Sequence, residues 1–403
     1  MSFKKKDFEK FLSVAKTYLG EGKKVRDEVT ITVVGETEGV FLQVVERKLH
    51  GDVYFVNGFF KGNHSIGKEE MTFSLSDFES IISIIKDKEF FISLSEDGER
   101  KKYLVMGNSG KYRLFADDEK YMPILCREDK EDVQKSVVFC IDSEDVKSIV
   151  DNTKDCLGCF TIGLDRVHVR PLQSGRVAVQ ATNGVKAWQK LLGPGNGDMY
   201  MDERFEEQLH CNVSFYLFKA LKSLKDCSPA MFTIKEYMVN KEDVFNVSIV
   251  VQQEHGRIEF VELRQEFHTL YPDFESLKER LLGKHTGKVK IKQSYIEKII
   301  KTGEVLNKGQ KDKKMRKIRL SFLDGDSVMQ VAYFKGQEEK IMDEELPVEC
   351  TESMPEEIFF NTKVFDCFLN TGEEYVTLMV GEGTTPVMSK TNNEIRLASP
   401  MIS

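Results

Sequence analysis

The sequence predicts an α+β protein built from three repeats of one domain, each with two helices backed by antiparallel sheet. Three observations lead there. First, a polar turn entering an amphipathic helix appears three times, with apolar triplets at i, i+3, i+4: Phe8/Phe11/Leu12, Val146/Ile149/Val150 and Ile296/Ile299/Ile300. Second, each third holds another triplet of the same period: Phe78/Ile81/Ile82, Leu217/Ala220/Leu221 and Phe365/Phe368/Leu369. Third, each second helix is followed by alternating Val, Ile, Tyr, Phe and Thr between turn residues, the pattern of antiparallel strands. Each third therefore reads as two β-α-β-β-β halves.

The elements follow in order. The second helices are expected at 74–87, 212–226 and 361–370, with Ser76, Ser214 and Thr362 as hydroxyl N-caps. Turns fall at Asp97-Gly98, at Asn108-Ser109-Gly110 and at Asn392-Asn393. The charged run 127–132 reads as a linker, and Leu270-Tyr271-Pro272-Asp273 opens the passage into the last third. Domains are placed at 1–130, 131–270 and 271–403. Repetition of this kind favours function through a repeated surface over a single reactive pocket.

Composition sets limits. With 40% hydrophobic and 31% charged residues the chain suits several modest soluble cores. No run of about eighteen apolar residues occurs, which argues against a spanning helix. The opening MSFKKKDFEKFL lacks an apolar signal core, so a cytoplasmic protein with no membrane partner is expected. Eight scattered cysteines suit buried thiols in a reducing compartment. The pair Cys156 and Cys159 has neither further zinc ligands nor a thioredoxin-like context nearby. Gly193-Pro-Gly-Asn-Gly197 is not followed by a helix pattern, so it reads as a hairpin loop and not a phosphate loop.

No catalytic constellation emerges. The seven histidines do not share metal-ligand spacing, and G-x-S-x-G, P-loop and H-E-x-x-H motifs are all missing. The expectation is a non-enzyme with no catalytic residue, no cofactor and no metal. The net charge of −8 opposes tight nucleic-acid binding, yet the distribution of charge matters more than its sum. Lys6, Lys10, Lys16, Lys23 and Lys24 lie on or just after the first helix, and Lys219, Lys222 and Lys225 recur on a later one. Lys298 and Lys301, then Lys308, recur in the last third. Such stripes suit a surface that tracks phosphates without reading bases.

Particular motifs then bring a family into view. Val177-Ala-Val-Gln-Ala-Thr182-Asn183-Gly184-Val185-Lys186-Ala187 resembles a strand ending Ala-Thr-Asp-Gly-His-Arg-Leu-Ala. Tyr271-Pro272-Asp273-Phe274 resembles an aromatic-Pro-Asp-Tyr, and the terminus Ser399-Pro400-Met401-Ile-Ser403 resembles Met-Pro-Met-Arg-Leu. Together, and over essentially the full length, they resemble the bacterial sliding clamp, the β subunit of DNA polymerase III. That resemblance implies the DNA clamp fold, closed as a head-to-tail homodimer of six domains around double-stranded DNA without sequence preference. It also implies partners: a DNA polymerase III alpha-type subunit, the clamp loader and other proteins with clamp-binding motifs.

The family takes partner peptides in a hydrophobic cleft between its second and third domains. By position the resemblance implies Thr182, Gly184, Val185, Lys186 and Ala187 on one wall. Pro272, Ser276 and Leu277 would form the floor. Pro386, Val387, Leu397, Pro400 and Met401 would come from the last domain. The family's His-Arg-Leu is Val185-Lys186-Ala187 here, which should alter the cleft's depth and charge. At the dimer interface, Tyr112 and Leu114 of one copy would face Val305 and Leu306 of the other. Two rivals remain open at this point: a clamp-like paralogue acting as a protein scaffold outside main replication, and a metal or thiol enzyme using Cys156 and Cys159.

Overall fold

The computed structural model describes residues 2–19, 29–36, 39–47, 53–61, 70–95, 102–107, 110–115, 133–158, 166–172, 174–193, 200–201, 210–224, 229–239, 242–253, 256–264, 271–306, 317–322, 327–335, 339–351, 353–369, 371–391 and 393–401. One order of elements, strand-helix-strand-strand-strand, recurs along it. The first repeat holds β1 (Ser2–Lys4), α1 (Lys5–Tyr18), β2 (Thr30–Glu36), β3 (Gly39–Arg47) and β4 (Val53–Lys61). The second holds β5 (Glu70–Ser74), α2 (Leu75–Ile84), β6 (Glu89–Ser95), β7 (Lys102–Gly107) and β8 (Gly110–Phe115). Next come β9 (Val133–Ile141), α3 (Ser143–Thr153), β10 (Arg166–Pro171), β11 (Val177–Thr182), β12 (Lys186–Leu192) and the short β13 (Tyr200–Met201). The fourth holds β14 (Cys211–Ser214), α4 (Phe215–Ser223), β15 (Ala230–Val239), β16 (Glu242–Gln253) and β17 (Gly256–Arg264).

Helix α5 (Phe274–Leu282) then stands outside the repeat. After it come β18 (Gly287–Lys292), α6 (Gln293–Leu306), β19 (Lys317–Phe322), β20 (Val328–Lys335) and β21 (Glu339–Pro347). The last repeat holds β22 (Glu349–Cys350), β23 (Glu357–Asn361), α7 (Thr362–Phe365), β24 (Tyr375–Val380), β25 (Val387–Lys390) and β26 (Glu394–Ala398). The expected α+β class with antiparallel strands is what the chain adopts.

The helical triplets are the core. All eighteen residues are buried except Ile81 and Leu369, which are partly buried. The helix ends differ from expectation. Ser214 does cap α4, its hydroxyl accepting from the Tyr216 amide at 3.2 Å. At α2 the cap position is Ser74, not Ser76, and the two hydroxyls bond each other at 2.8 Å. At α7 the cap is Asn361, not Thr362, accepting from the Lys363 amide at 2.9 Å, while Thr362 is buried. The last helix is also shorter than expected, because Asp366–Phe368 tightens into a 3₁₀ turn.

The chain forms two compact units, each discontinuous in sequence. One comprises Met1–Val150, Val169–Val177 and Gly193–His268; the other comprises Asp151–His168, Ala178–Leu192 and Thr269–Ser403. In the first, nine strands pair in the order β13-β9-β15-β16-β17-β4-β3-β2-β5, and a smaller sheet runs β1-β6-β7-β8. The β17–β4 seam is in continuous register from Gly256↔Phe60 to Leu263↔Val53. One face of the large sheet carries Val33, Leu42, Val44, Val56, Ile258 and Phe260, all buried. The other carries a row of side-chain hydrogen bonds: Thr32–Thr72 at 3.0 Å, Gln43–Asn57 at 2.9 Å, and Asn57–Glu259 at 3.0 Å across the seam.

Helices α1 and α4 pack against each other in this unit. Phe11 seats α1 on Gly58, where an added Cβ would lie only 2.7 Å from the ring. Rings fill the space beneath the helices: Phe8 meets Phe78 at 5.0 Å, and Tyr18 meets Phe260 at 5.2 Å.

In the second unit the strands β11-β12-β26-β25-β24-β18-β22 follow one another in one sheet, and β21-β20-β19-β23 form another. Its core gathers Ile296, Ile299 and Ile300 of α6 with Val331, Tyr333, Phe360 and Phe365. The β12–β26 seam pairs Lys186↔Ala398 through Lys190↔Glu394.

The β17–β4 seam gives a direct test of these packing limits. A Cβ on Gly256 would meet the Phe59 carbonyl oxygen at 1.9 Å, so the strands cannot approach with any side chain there. Gly256→Ala is expected to destabilise the chain by about 1–3 kcal/mol in chemical denaturation, as overpacking does. Gly193→Ala, whose Cβ would meet nothing within 4 Å, should leave the midpoint nearly unchanged.

Candidate functional site

The floor of the expected cleft begins at Asp273. Its carboxylate caps α5, accepting from the amides of Glu275 at 3.0 Å and Ser276 at 3.4 Å, and from the Ser276 hydroxyl at 2.6 Å. That cap fixes Phe274, Leu277 and Leu281 on one face of the helix. Tyr271 stacks on Phe274 at 6.3 Å and on the buried His168 at 4.5 Å, with rings 6° from parallel. The aromatic-Pro-Asp-aromatic motif is therefore a capped helix start with a ring stack behind it. Helix α5 itself is absent from the sequence expectation. Its signal was an N-cap Asp followed by apolar residues at i, i+3 and i+7.

An apolar cluster lies over this floor. Ala187, Phe274, Leu281, Met388, Ile395 and Leu397 are buried together, with Tyr271, Leu277 and Met379 partly buried around them. Ala187, Leu277 and Leu397 were expected here; Leu281 and the aromatic, methionine and isoleucine members were not. Val387, by contrast, faces the core beneath α6, and its neighbour Met388 faces the cluster. Pro272 and Ser276 are exposed, and Pro386, Pro400 and Met401 are half-buried. The Pro386 carbonyl lies 2.9 Å from the His285 ring.

The wall at 182–187 is a turn with its own scaffold. Gly184 adopts φ +82°, a conformation that favours glycine. The Asn183 side-chain oxygen accepts from the amides of Val185 at 3.0 Å and Lys186 at 2.8 Å. The Thr182 hydroxyl donates to the Lys186 carbonyl at 2.8 Å and accepts from the Gly184 amide at 3.1 Å. Thr182 is buried as this support, whereas Val185 is 46% exposed. The tail is tied beside it: the Ser399 amide donates to the Val185 carbonyl at 2.9 Å, and the Met401 amide to the Phe359 carbonyl at 2.7 Å.

The cations of this wall point inward. Lys186 is buried, and its ammonium lies 2.6 Å from the Asp366 carboxylate. Arg396 is buried too, donating to the Cys367 carbonyl at 2.8 Å, to Asn152 Oδ1 at 2.9 Å, and to Glu394 and the Leu369 carbonyl. Glu394 also accepts from Trp188 Nε1 at 2.8 Å. Burial raises the Asp366 carboxyl above the usual carboxylate range, and Lys186 opposes that rise. Burial also pushes the Cys156 thiol up to about 12, against the pull of Lys186 and Arg396. Such a thiol is a poor nucleophile near neutral pH. Cys159 lies outside the described residues. Among the described residues, no cluster of His, Cys, Asp and Glu could hold a metal ion.

The lysines expected to face DNA divide into groups. Lys6 and Lys10 on α1, and Lys219 and Lys222 on α4, are exposed on two adjacent helices. Lys10 donates to Gln253 at 3.3 Å, and Lys219 lies over the Tyr216 ring at 5.4 Å. Lys16 is ion-paired with Glu79, and Lys298 with Glu344. The Lys301 side chain is 76% exposed, 3.7 Å from Glu297. Lys23, Lys24, Lys225 and Lys308 lie outside the described residues. Of the residues expected at a dimer interface, Tyr112 and Leu114 lie on β8 at the end of its sheet order. Val305 is 68% exposed and Leu306 packs against the core of α6.

The chain matches no family model and no curated protein sequence. Solved structures do match it along its length. A DNA polymerase sliding clamp from Pseudomonas aeruginosa superposes with a TM-score of 0.72 at 15% identity, covering 100% of this chain and 99% of that one. The Helicobacter pylori beta clamp bound to a DNA ligase peptide gives 0.70 at 16%, with the same coverage. The beta subunit from DNA polymerase of Streptococcus pyogenes gives 0.71 at 15%. This is the sliding-clamp fold. The clamp motifs quoted from the sequence thus map onto a capped helix start, a braced turn and a tied tail within that fold. Among the described residues, no helix is long and apolar enough to cross a membrane.

The Lys186–Asp366 pair generates a pH-dependent expectation. Removing the ammonium removes the influence that lowers the Asp366 pKa, so the carboxyl should titrate higher still in Lys186→Met. A raised carboxyl pKa contributes stability at low pH that is lost as pH rises through the folded value. Lys186→Met should therefore destabilise by about 2–3 kcal/mol at pH 7 and by less at pH 4, since an uncompensated buried charge then becomes a neutral acid. Urea unfolding at the two pH values measures the difference.

Proposed function

We propose that this chain is a DNA sliding clamp and not an enzyme: a processivity factor that holds duplex DNA by enclosure and tethers partner proteins. The observation that carries the reading is agreement with solved clamps over the whole chain, in a molecule whose strand-helix-strand-strand-strand order repeats. Pairs of repeats give three domains, 1–130, 131–270 and 271–403, and two chains head to tail give six. The edge strands support closure. β21 ends its sheet, and its sequence EKIMDEELP carries an excess of acid, with Ile341 and Met342 exposed. β8 ends another sheet, and its sequence GKYRLF is basic. Edges of opposite charge, each unpaired among the described residues, suit pairing between two copies.

Phosphate contact is assigned to Lys6, Lys10, Lys219, Lys222 and Lys301, whose exposed positions suit loose, salt-sensitive attraction. Partner peptides are assigned to the apolar cluster around Phe274, Leu277, Met388 and Leu397, with Val185, Pro272, Ser276, Pro386, Pro400 and Met401 at its margin. The Helicobacter pylori clamp carries its DNA ligase peptide, which supports a peptide-binding role for the fold. A polymerase III alpha-type subunit, a clamp loader and other motif-bearing proteins are the partners this reading implies. The scaffold alternative draws support from one feature, the inward-turned Lys186, which leaves the cleft wall with apolar Val185 outward.

Two measurements test the proposal. Sedimentation should give a mass near twice 46.3 kDa; a monomer at micromolar concentration opposes the ring. After loading, the protein should stay on nicked circular DNA and leave once the circle is linearised, because only a topological link responds to free ends. Retention that ignores linearisation would favour ordinary surface binding. Lys219→Glu with Lys222→Glu should shorten retention and flatten its salt dependence by about two phosphate contacts.

A further inference from the structure

Lys298 was expected to face DNA, but its surroundings assign it other work. Glu344 faces inward on β21, two positions before the buried Leu346. Its partner across the ladder is Val331, which is fully buried, and its side chain is 9% exposed while Asp343 and Glu345 face solvent. The Tyr333 hydroxyl donates to one Glu344 oxygen. Burial, and then Glu344 itself, hold that hydroxyl protonated far above neutral pH, with Thr302 nearby on α6 opposing the shift. Tyr333 thus supplies a hydrogen bond but no positive charge. The other Glu344 oxygen faces the Lys298 ammonium, delivered from α6. Beside this contact the β20–β21 ladder shifts register between Tyr333 and Phe334, leaving Ile341 as an extra residue in β21.

A carboxylate on the core side of an edge strand is costly unless paired, and its loss of a partner would expel that part of the strand. We propose that Lys298 is a positioning residue for closure between two copies: by neutralising Glu344 from α6, it holds β21 in the shape that can pair with a second chain, and it makes no phosphate contact. This rests on the dimeric reading above. Lys301, one helical turn along and largely in solvent, remains the phosphate contact of α6.

Three variants test it on the full chain: Lys298→Met, Lys298→Met with Glu344→Gln, and Lys301→Gln. Lys298→Met should raise the dimer dissociation constant by about tenfold or more and speed amide hydrogen exchange across 339–347. The double variant removes both charges while the glutamine oxygen still accepts from Tyr333, so the constant should return to within about threefold of the parent. Both should keep the parent's salt dependence for a short linear duplex, whereas Lys301→Gln should flatten it by about one contact and leave dimerisation alone. Unchanged exchange across 339–347 in Lys298→Met would overturn the proposal, as would a salt dependence altered as in Lys301→Gln. If the parent chain is itself monomeric, the dimeric reading fails, and the exchange measurement still decides the role of Lys298.

Discussion

Backbone pairing at the seams is the constraint on which the rest of the molecule depends. A repeated module of one helix and a few strands has too small a core to stand alone, and it leaves strand edges unpaired. In the first unit, β17 and β4 cancel two such edges at once, over a register of eight residue pairs without a slip. Once that register is set, α1 and α4 are brought side by side, and the faces they cover become a single apolar surface. Register also dictates composition. Gly256 and Gly58 occur where a backbone oxygen and a ring, respectively, leave no volume for a side chain.

The seams differ in chemistry. Across β17–β4, beside the apolar pair Val56 and Phe260, a side-chain hydrogen bond runs from the Asn57 amide to the Glu259 carboxylate. At β12–β26 the environment is charged and more enclosed: Lys186, Arg396, Asp366 and Glu394 satisfy one another and the carbonyls of Cys367 and Leu369. A buried ionic network of this kind adds little net stability compared with an apolar one, but it is severe on misplacement, since every member needs its partner. It lies directly behind the apolar cluster on α5. The cations Lys186 and Arg396 are held by that scaffold, and burial keeps the Cys156 thiol protonated against their pull.

Much of the architecture was readable because helical period is a local property. The triplets at 8, 146 and 296 and their partners later in each third mark buried faces regardless of what covers them. Helix ends were less readable. Ser76 and Thr362 have the right chemistry for a cap but sit inside their helices; Asn361 caps α7, and Ser74 holds the cap position of α2 without a side-chain cap bond. Helix α5 escaped because its short apolar face follows a Pro-Asp turn that reads equally as a linker. Among the lysines, exposure cannot be read from spacing. Lys16 and Lys298 have the same stripe as Lys10 and Lys301, yet their carboxylate partners come from elements far along the chain. Lys186 pairs with a residue 180 positions away, a contact that no local pattern announces.

Trp188 offers a further consequence. It is the sole tryptophan of the chain, 1% exposed, on the strand that joins β26, with its indole N–H held by Glu394. Tryptophan emission, excited beyond the absorption of the twelve tyrosines, therefore has a single source, lodged among the ionic groups of one interface between strands. Its wavelength and quenching report on the water and charges of that locality, so opening there is optically separable from fraying at β8 or β21.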